Sequence, residues 1–173
     1  AHLVSGLSKE AFDCAVVTGK DGGNALKQLL PEHIRYRVAR HLSRDPNVFQ
    51  DISSLFELRK IFQEEKADVI FLNSSKAGVL GSLSAFLHKL LTFNFKLLTV
   101  LTVHGWAFKE DRNFLSKFIL WFASWFSSLF QNKIIVINSA DLKIAEKFIP
   151  KRKISFIPNG IAPIDFYSRE QAR

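Results

Sequence analysis

Short apolar runs alternate with segments of helical character along most of the chain, and this alternation is what most constrains the fold. The apolar runs cover residues 13–18, 68–73, 96–103, 133–138 and 154–157, and each has the length of a strand. The run at 96–103 is almost continuously apolar, as expected for a strand that is buried on both faces. Alternating strands and helices predict an α/β fold with a doubly wound parallel sheet.

Helices are predicted in the intervals between these strands. One covers about 48–65 and carries Phe49, Ile52, Phe56, Arg59 and Phe62 on or near one face. Others cover 76 to about 91 and 114–130, and a short helix over 141–148 is predicted with Ser139 as its cap. The basic segment before the first of these helices has no clear period.

Composition limits the class of protein. A chain of 173 residues with 47% hydrophobic residues is large enough for one globular core. The single cysteine, Cys14, excludes a disulfide framework and a cysteine metal cluster, and it favours a reducing compartment. No signal peptide is visible, so we expect a cytoplasmic protein. The chain lacks methionine and opens like the end of a helix, so we also expect a fragment whose true N-terminus lies upstream.

A candidate anion site follows the second of the five predicted strands, at residues 73–81. Ser74 or Ser75 is expected to cap the next helix, whose free backbone N–H groups attract phosphate. Lys76 adds a positive charge, and Gly78 permits a close approach by a ligand or a neighbouring backbone. The spacing is not that of a Walker loop. An ordinary serine cap with glycines that serve packing is the alternative interpretation.

His104 and Gly105 follow the next strand, so they are expected at the same edge of the sheet. Ligands of open parallel sheets bind outside the carboxyl ends of the strands. The His104 imidazole could there hydrogen-bond a sugar hydroxyl or a developing charge. The alternative is a satisfied turn without a ligand. Trp106 and Phe108 are equally well explained by packing or by contact with a sugar ring.

Four segments together resemble the N-terminal Rossmann-like domain of family-4 glycosyltransferases. They are DVI at 68–70, SSKAG at 74–78, VHGWAF at 103–108 and IPNGI at 157–161. The resemblance implies half of a two-domain GT-B enzyme of bacterial surface polysaccharide synthesis, which retains anomeric configuration and needs no cofactor or catalytic metal. Its substrates would be a nucleotide-sugar donor and an acceptor that is either linked to a polyprenyl diphosphate or a saccharide.

The resemblance also assigns roles to residues and divides the chain. It implies that His104 contacts the donor sugar and is catalytic. It implies an acceptor-side domain over 1–160 that lacks the family's first strand, and the start of a hinge over 161–173 that leads to a missing donor-binding domain. The fragment alone is then expected to be inactive. The residues that it places against substrate or at the hinge entry are Ser74, Ser75, Lys76, Gly78, Gly105, Arg44, Asn159 and Gly160.

The charge and the aromatic helix point to an acidic partner and to a surface. A net charge of +8 suits a nucleotide diphosphate, a lipid diphosphate or anionic lipid. In the helix at 114–130 a wide arc is apolar, so peripheral docking on the inner face of the cytoplasmic membrane competes with simple burial. Nucleic acid is not expected, because aromatic and basic residues do not interleave.

Two rival functions stay open at this point. One is a non-catalytic module that binds a membrane or a partner protein through the aromatic helix and keeps the sheet as a scaffold. The other is a sugar-nucleotide 2-epimerase, a class that shares the two-domain architecture. The first predicts that His104→Ala is silent, and the second predicts a product that is still attached to its nucleotide.

Overall fold

The computed structural model of the protein describes residues 2–160. All strand pairs are parallel, and they form a two-stranded sheet of order β1-β2 and a four-stranded sheet of order β3-β4-β5-β6. The strands are β1 Ala15–Gly19, β2 Arg35–Ala39, β3 Val69–Leu72, β4 Leu98–Val103, β5 Lys133–Val136 and β6 Ile154–Phe156. The helices are α1 His2–Ser5, α2 Gly23–Gln28, α3 Val48–Glu64, α4 Ser75–Thr92, α5 Phe114–Ser128 and α6 Ser139–Ala145.

The predicted α/β class with parallel strands is confirmed, and the predicted strands and long helices lie within a few residues of the observed ones. Two local expectations were incomplete or wrong. Strand β2 lies in the basic segment for which no period was found. Ser139 is not the cap of α6; the helix begins there, and Asn138 is the cap, because its side chain accepts a hydrogen bond from the Asp141 backbone N–H.

The core lies between the four-stranded sheet and helices α3 and α4. Leu58, Ile61 and Phe62 of α3 are buried against the same cluster as Ile70 of β3 and Leu101 of β4. Helix α4 approaches the sheet closely through glycines. A Cβ atom at Gly81 would lie 2.5 Å from Leu72 Cδ2, so a larger residue there would displace the Leu72 side chain.

The two sheets are connected through the carboxylates of α3. Arg35 and Arg37 of β2 form ion pairs with Glu65, and Arg37 also pairs with Glu64. Glu57 accepts hydrogen bonds from the backbone N–H groups of Arg40 and His41. Among the described strands, β1 and β3 each pair with one neighbour. That the family's first strand is missing from the chain stays a prediction, and the predicted hinge at 161–173 lies outside the described residues.

The aromatic stripe of α3 is only partly used by the core. Phe49 and Phe56 are 84% and 59% exposed, and Ile52 is also exposed. Phe62, at the other end of the stripe, is buried. The buried apolar residues of α3 are therefore in its C-terminal half, where Leu58, Ile61 and Phe62 belong to the core cluster.

Candidate functional site

The carboxyl ends of β3 and β4 lie side by side and open into one cavity. Their register pairs Leu72 with Leu101, so the segments that follow the two strands leave the sheet at the same edge. The cavity measures about 250 Å³. The residues that line it are Asn73, Ser74, Ser75, Gly78, Val79, Leu101, Thr102, Val103, His104, Gly105, Trp106, Ser124, Ser127 and Gln131.

The N-terminus of α4 forms one wall of this cavity. Ser74 has extended backbone geometry, and its hydroxyl accepts a hydrogen bond from the Ala77 N–H at 3.2 Å, so it is the cap and Ser75 is the first helical residue. Gly78 lies one turn further along, where a Cβ atom would come within 3.0 Å of Leu101 Cδ1. Gly78 therefore allows α4 to lie against β4, and the helix N-terminus faces the cavity with backbone donors that suit an anion.

The charge of Lys76 is directed away from the cavity. Its ammonium group lies 2.7 Å from Asp51 Oδ1 and donates a hydrogen bond of 2.6 Å to the Asp45 carbonyl. Asp51 also accepts from the backbone N–H of Asn47, the cap of α3. Lys76 is thus a link between the N-termini of α3 and α4, and it is not among the cavity-lining residues.

His104 is the exposed titratable group at the cavity. Within residues 2–160 its imidazole makes no hydrogen bond and no ion pair, so both ring nitrogens are free to meet a ligand. Gly105 follows it with open space on its side: a Cβ atom there would have no neighbour within 4 Å. An exposed imidazole beside a helix N-terminus can donate a proton or a hydrogen bond to one part of a substrate while backbone N–H groups hold another.

The loop after His104 is held in place by a contact that the sequence did not reveal. The Trp106 indole donates a hydrogen bond to the Asp141 carbonyl at 3.1 Å, and Lys109 forms a 2.9 Å ion pair with the Asp141 carboxylate. Trp106 is buried against Phe108 and Phe148. Of the two interpretations left open for Trp106, the structure supports packing, which fixes the position from which His104 projects.

The remaining predicted site residues lie away from the cavity. Arg44 is exposed in the loop after β2, where its backbone N–H donates to Asp21 at 3.0 Å. Asn159 and Gly160 are exposed beyond β6. The structure thus brings Ser74, Ser75, Gly78, His104 and Gly105 to one cavity and leaves the other four predicted residues outside it.

Helix α5 supplies cavity residues that the sequence did not assign to the site. Ser124 and Ser127 line the cavity together with Gln131, which is 2% exposed. The Gln131 amide donates to Ser82 Oγ at 2.9 Å, whereas its Oε1 has no hydrogen-bond partner within residues 2–160. A buried acceptor without a partner costs about 1–3 kcal/mol, so a water or ligand hydroxyl in the cavity would be stabilising there. One sequence signal could have identified these residues: Ser124, Ser127 and Gln131 lie together on the polar side of the aromatic helix.

Among the described residues there is neither a candidate metal cluster nor a candidate membrane span. No group of three or more His, Cys, Asp or Glu side chains within residues 2–160 is arranged to hold a metal ion. Helices α1 to α6 include none that combines the length and the apolar character needed to cross a membrane.

Comparison with known proteins identifies a family and a similar enzyme. A family model, Glycosyltransferase Family 4, matches residues 1–163. The chain is also similar to the UDP-Gal:alpha-D-GlcNAc-diphosphoundecaprenol alpha-1,3-galactosyltransferase of Escherichia coli, with 29% identity over 157 residues. This match covers 90% of the chain and 38% of that relative, so the chain spans well under half of the relative's length.

Proposed function

Because the chain belongs to glycosyltransferase family 4, we propose that its intact protein transfers a sugar from a nucleotide-sugar donor to a lipid-linked or saccharide acceptor. The described residues would form the acceptor-side domain, and residues 161–173 would lead to a second domain that holds most of the donor. The name of the similar E. coli enzyme supports a UDP-sugar donor and a diphosphoundecaprenol-linked acceptor. The setting would be bacterial surface polysaccharide synthesis.

His104 would contact the sugar that is transferred. A glycosyl transfer develops positive charge on the ring and negative charge on the leaving diphosphate, so polar groups placed at the reacting carbon stabilise the transition state. The imidazole would hydrogen-bond a hydroxyl of the donor sugar. The open space beside Gly105 would admit the sugar ring. Transfer would retain the anomeric configuration of the sugar.

The N-terminus of α4 would bind a phosphate of a substrate. Ser74 and Ser75 end in the cavity, and the helix dipole favours negative charge there. Lys76 would act indirectly, through its ion pair with Asp51, since that carboxylate already balances its charge. Arg44 would meet an acceptor phosphate that extends beyond the cavity, and Asn159 and Gly160 would shape the entry to the hinge.

The protein would work at the inner face of the cytoplasmic membrane as a peripheral protein. A polyprenyl-linked acceptor stays in the bilayer, so the enzyme must approach the membrane surface to reach that acceptor. The basic balance of the chain supports attraction to anionic lipid.

One observation carries the proposal: an exposed imidazole that has no partner among residues 2–160 lines the same cavity as a capped helix N-terminus. The test offers labelled nucleotide sugars, UDP-galactose among them, to membranes that contain the full-length protein. Transfer of label into the solvent-extractable lipid is measured. Since His104→Ala removes a transition-state contact, we expect transfer to fall by about 10²-fold or more.

His33→Ala is the matched control, because His33 is exposed but lies outside the cavity. It should leave transfer unchanged. Equal transfer by wild type and His104→Ala would show that His104 takes no part in the reaction. Label that changes its sugar but stays on the nucleotide would identify a 2-epimerase. No reaction with any donor, from folded protein with acceptor present, would support a non-catalytic module.

A further inference from the structure

Helix α5 packs with its polar side inward. Ser127 and Ser128 are buried, and their hydroxyls donate to the Ser124 and Trp125 carbonyls of the same helix. These serines therefore need no water, and the side that they occupy is small enough to lie close to α4. On α4 most of the buried residues are likewise small: Gly78, Gly81, Ser82, Ser84 and Ala85 are buried together with Leu80 and His88.

The opposite side of α5 is apolar and exposed. We call it the outer face; its residues are between 38% and 85% exposed, and they are Phe114, Leu115, Phe118, Ile119, Phe122, Phe126 and Leu129. Helix α5 contains no Asp or Glu, and Lys117 is its single charged residue. Large apolar side chains that are exposed singly are ordinary, but a contiguous set along four turns is typical of an interaction surface.

A basic pocket lies where the outer face ends. Its volume is about 500 Å³, its cations are Lys89, Arg152 and Lys153, and no carboxylate of the described part of the chain lines it. Lys89 donates to the neutral Asn132 side chain, and Lys153 donates to the Ser128 and Leu129 carbonyls at the end of α5. Burial lowers the pKa of both lysines, and for Lys153 the neighbouring Arg152 and Lys89 lower it further. An anion in this pocket would relieve that repulsion.

The outer face and the basic pocket are physically continuous. Ring centroids are 6.1 Å apart between Phe122 and Phe126, 5.2 Å between Phe126 and Phe130, and 4.6 Å between Phe130 and Phe86. Phe130 and Phe86 are walls of the pocket, together with Leu129. A surface that follows the outer face therefore arrives directly at the three cations.

We propose that the outer face of α5 inserts into the headgroup boundary of an anionic phospholipid bilayer, and that the basic pocket binds a phosphate of a lipid headgroup. This membrane proposal depends on the proposed function in one respect, which is the identity of the membrane that is bound. An apolar helical face with a cationic site beside it has the chemistry of interfacial helices. Helix α5 lines the cavity through Ser124 and Ser127, so a bilayer along its outer face would bring a lipid-linked acceptor close to the cavity.

Charge distinguishes this surface from the other exposed apolar patch. On α3, Phe49 and Phe56 are also exposed, but the helix carries Asp51, Glu57 and Glu64. Its other charges are Arg59 and Lys60, and Asp51 and Glu64 are already paired with Lys76 and Arg37, so the α3 surface offers anionic lipid no excess of positive charge. The α3 patch therefore supplies a matched control with the same residue type and comparable exposure.

The test measures binding of the full-length protein to sedimented vesicles of pure phosphatidylcholine, and to vesicles with equal parts of phosphatidylcholine and phosphatidylglycerol. Wild type should favour the anionic vesicles, and high salt should weaken that preference. Lys89→Gln with Arg152→Gln should lower the partition coefficient about fivefold for each charge removed. Phe118→Ser with Phe122→Ser should lower it at least tenfold on both kinds of vesicle, because apolar contact area is lost.

Two controls should bind like wild type. Phe49→Ser with Phe56→Ser changes the α3 patch, and Lys143→Gln with Lys147→Gln removes two exposed charges that do not line the pocket. Phe114→Ser guards against misfolding, because Phe114 is 85% exposed and its loss cannot open the core. It should still weaken binding. Unchanged binding by the α5 variants, or equal loss in the α3 control, would overturn the proposal.

Two further readouts separate the outcomes. If wild type ignores vesicles but self-associates, and Phe118→Ser with Phe122→Ser dissociates it, the outer face is an interface between copies and the proposal is wrong. In detergent, where the acceptor no longer has to be reached in a bilayer, the same variant should transfer sugar like wild type. Absence of transfer by wild type in detergent would contradict the proposed function while leaving vesicle binding to be judged by itself.

Discussion

Helices α3 and α5 both carry stripes of aromatic residues, yet they use them in opposite ways. Helix α3 buries the end of its stripe, where Phe62 meets Leu58 and Ile61 in the core, and its carboxylates bind β2. Helix α5 buries serines and exposes its phenylalanines. The difference shows that an amphipathic pattern defines two faces of a helix but not which one turns inward. The neighbouring element decides, and for α5 that element is α4.

The largest effect should come from removing an inward ring. Phe62→Ala deletes a side chain that is 7% exposed, so it should lower the free energy of unfolding by about 3–5 kcal/mol. Phe118→Ala, on α5, removes one that is 52% exposed and should cost no more than about 0.5 kcal/mol. Urea unfolding of the full-length protein, followed by circular dichroism, measures both. Equal losses would mean that the outer face of α5 is covered in the folded protein.

A smaller effect should come from reversing the polarity of the inward side of α5. Ser127→Leu places a larger side chain where Ser127 is buried, so we expect a loss of about 1–3 kcal/mol from overpacking. Ser116→Leu, at a half-buried position near the start of the same helix, is the control and should cost less. The unfolding midpoint reports both changes. A stabilised Ser127→Leu protein would contradict the close approach of α4 and α5.

The smallest effect concerns acid pH and the face by which α4 meets α3. Burial and, after it, the Arg59 guanidinium lower the pKa of His88 from its usual 6.5. The unfolded chain therefore binds a proton on His88 at a higher pH than the folded chain does. As pH falls below 6.5, the free energy of unfolding should fall, until the pKa of the folded state is passed.

His88→Gln should reduce this loss of unfolding free energy at acid pH, because the variant lacks the group that titrates. Denaturant unfolding at a series of pH values measures the slope. His33→Gln is the control, since His33 is exposed. If the free energy of unfolding changes with pH by the same slope in wild type and His88→Gln, other groups are responsible for the loss of stability at acid pH.

Much of the candidate site could be predicted because it depends on where strands end. His104 and Ser74 each follow an apolar run, and parallel strands place such positions at one edge of a sheet. The fate of Lys76 could not be predicted, because its partner Asp51 lies on another helix. The same holds for Asp141, which fixes the His104 loop through contacts with Trp106 and Lys109 from a distant part of the chain.

The sequence by itself determined the α/β class, the parallel order of elements and the placing of His104 and Ser74 at the cavity, because these follow from local periodicity and from strand connection rules. Only the tertiary structure decided that Ser74 and not Ser75 is the cap, that Lys76 is already paired and that α5 faces outward with its rings. The cap is a local choice that the sequence left open between two adjacent serines, whereas the other two outcomes depend on which side chains of distant segments meet. Ser127 and Ser128 are buried on one side of α5, so the rings on the opposite side of the helix remain exposed.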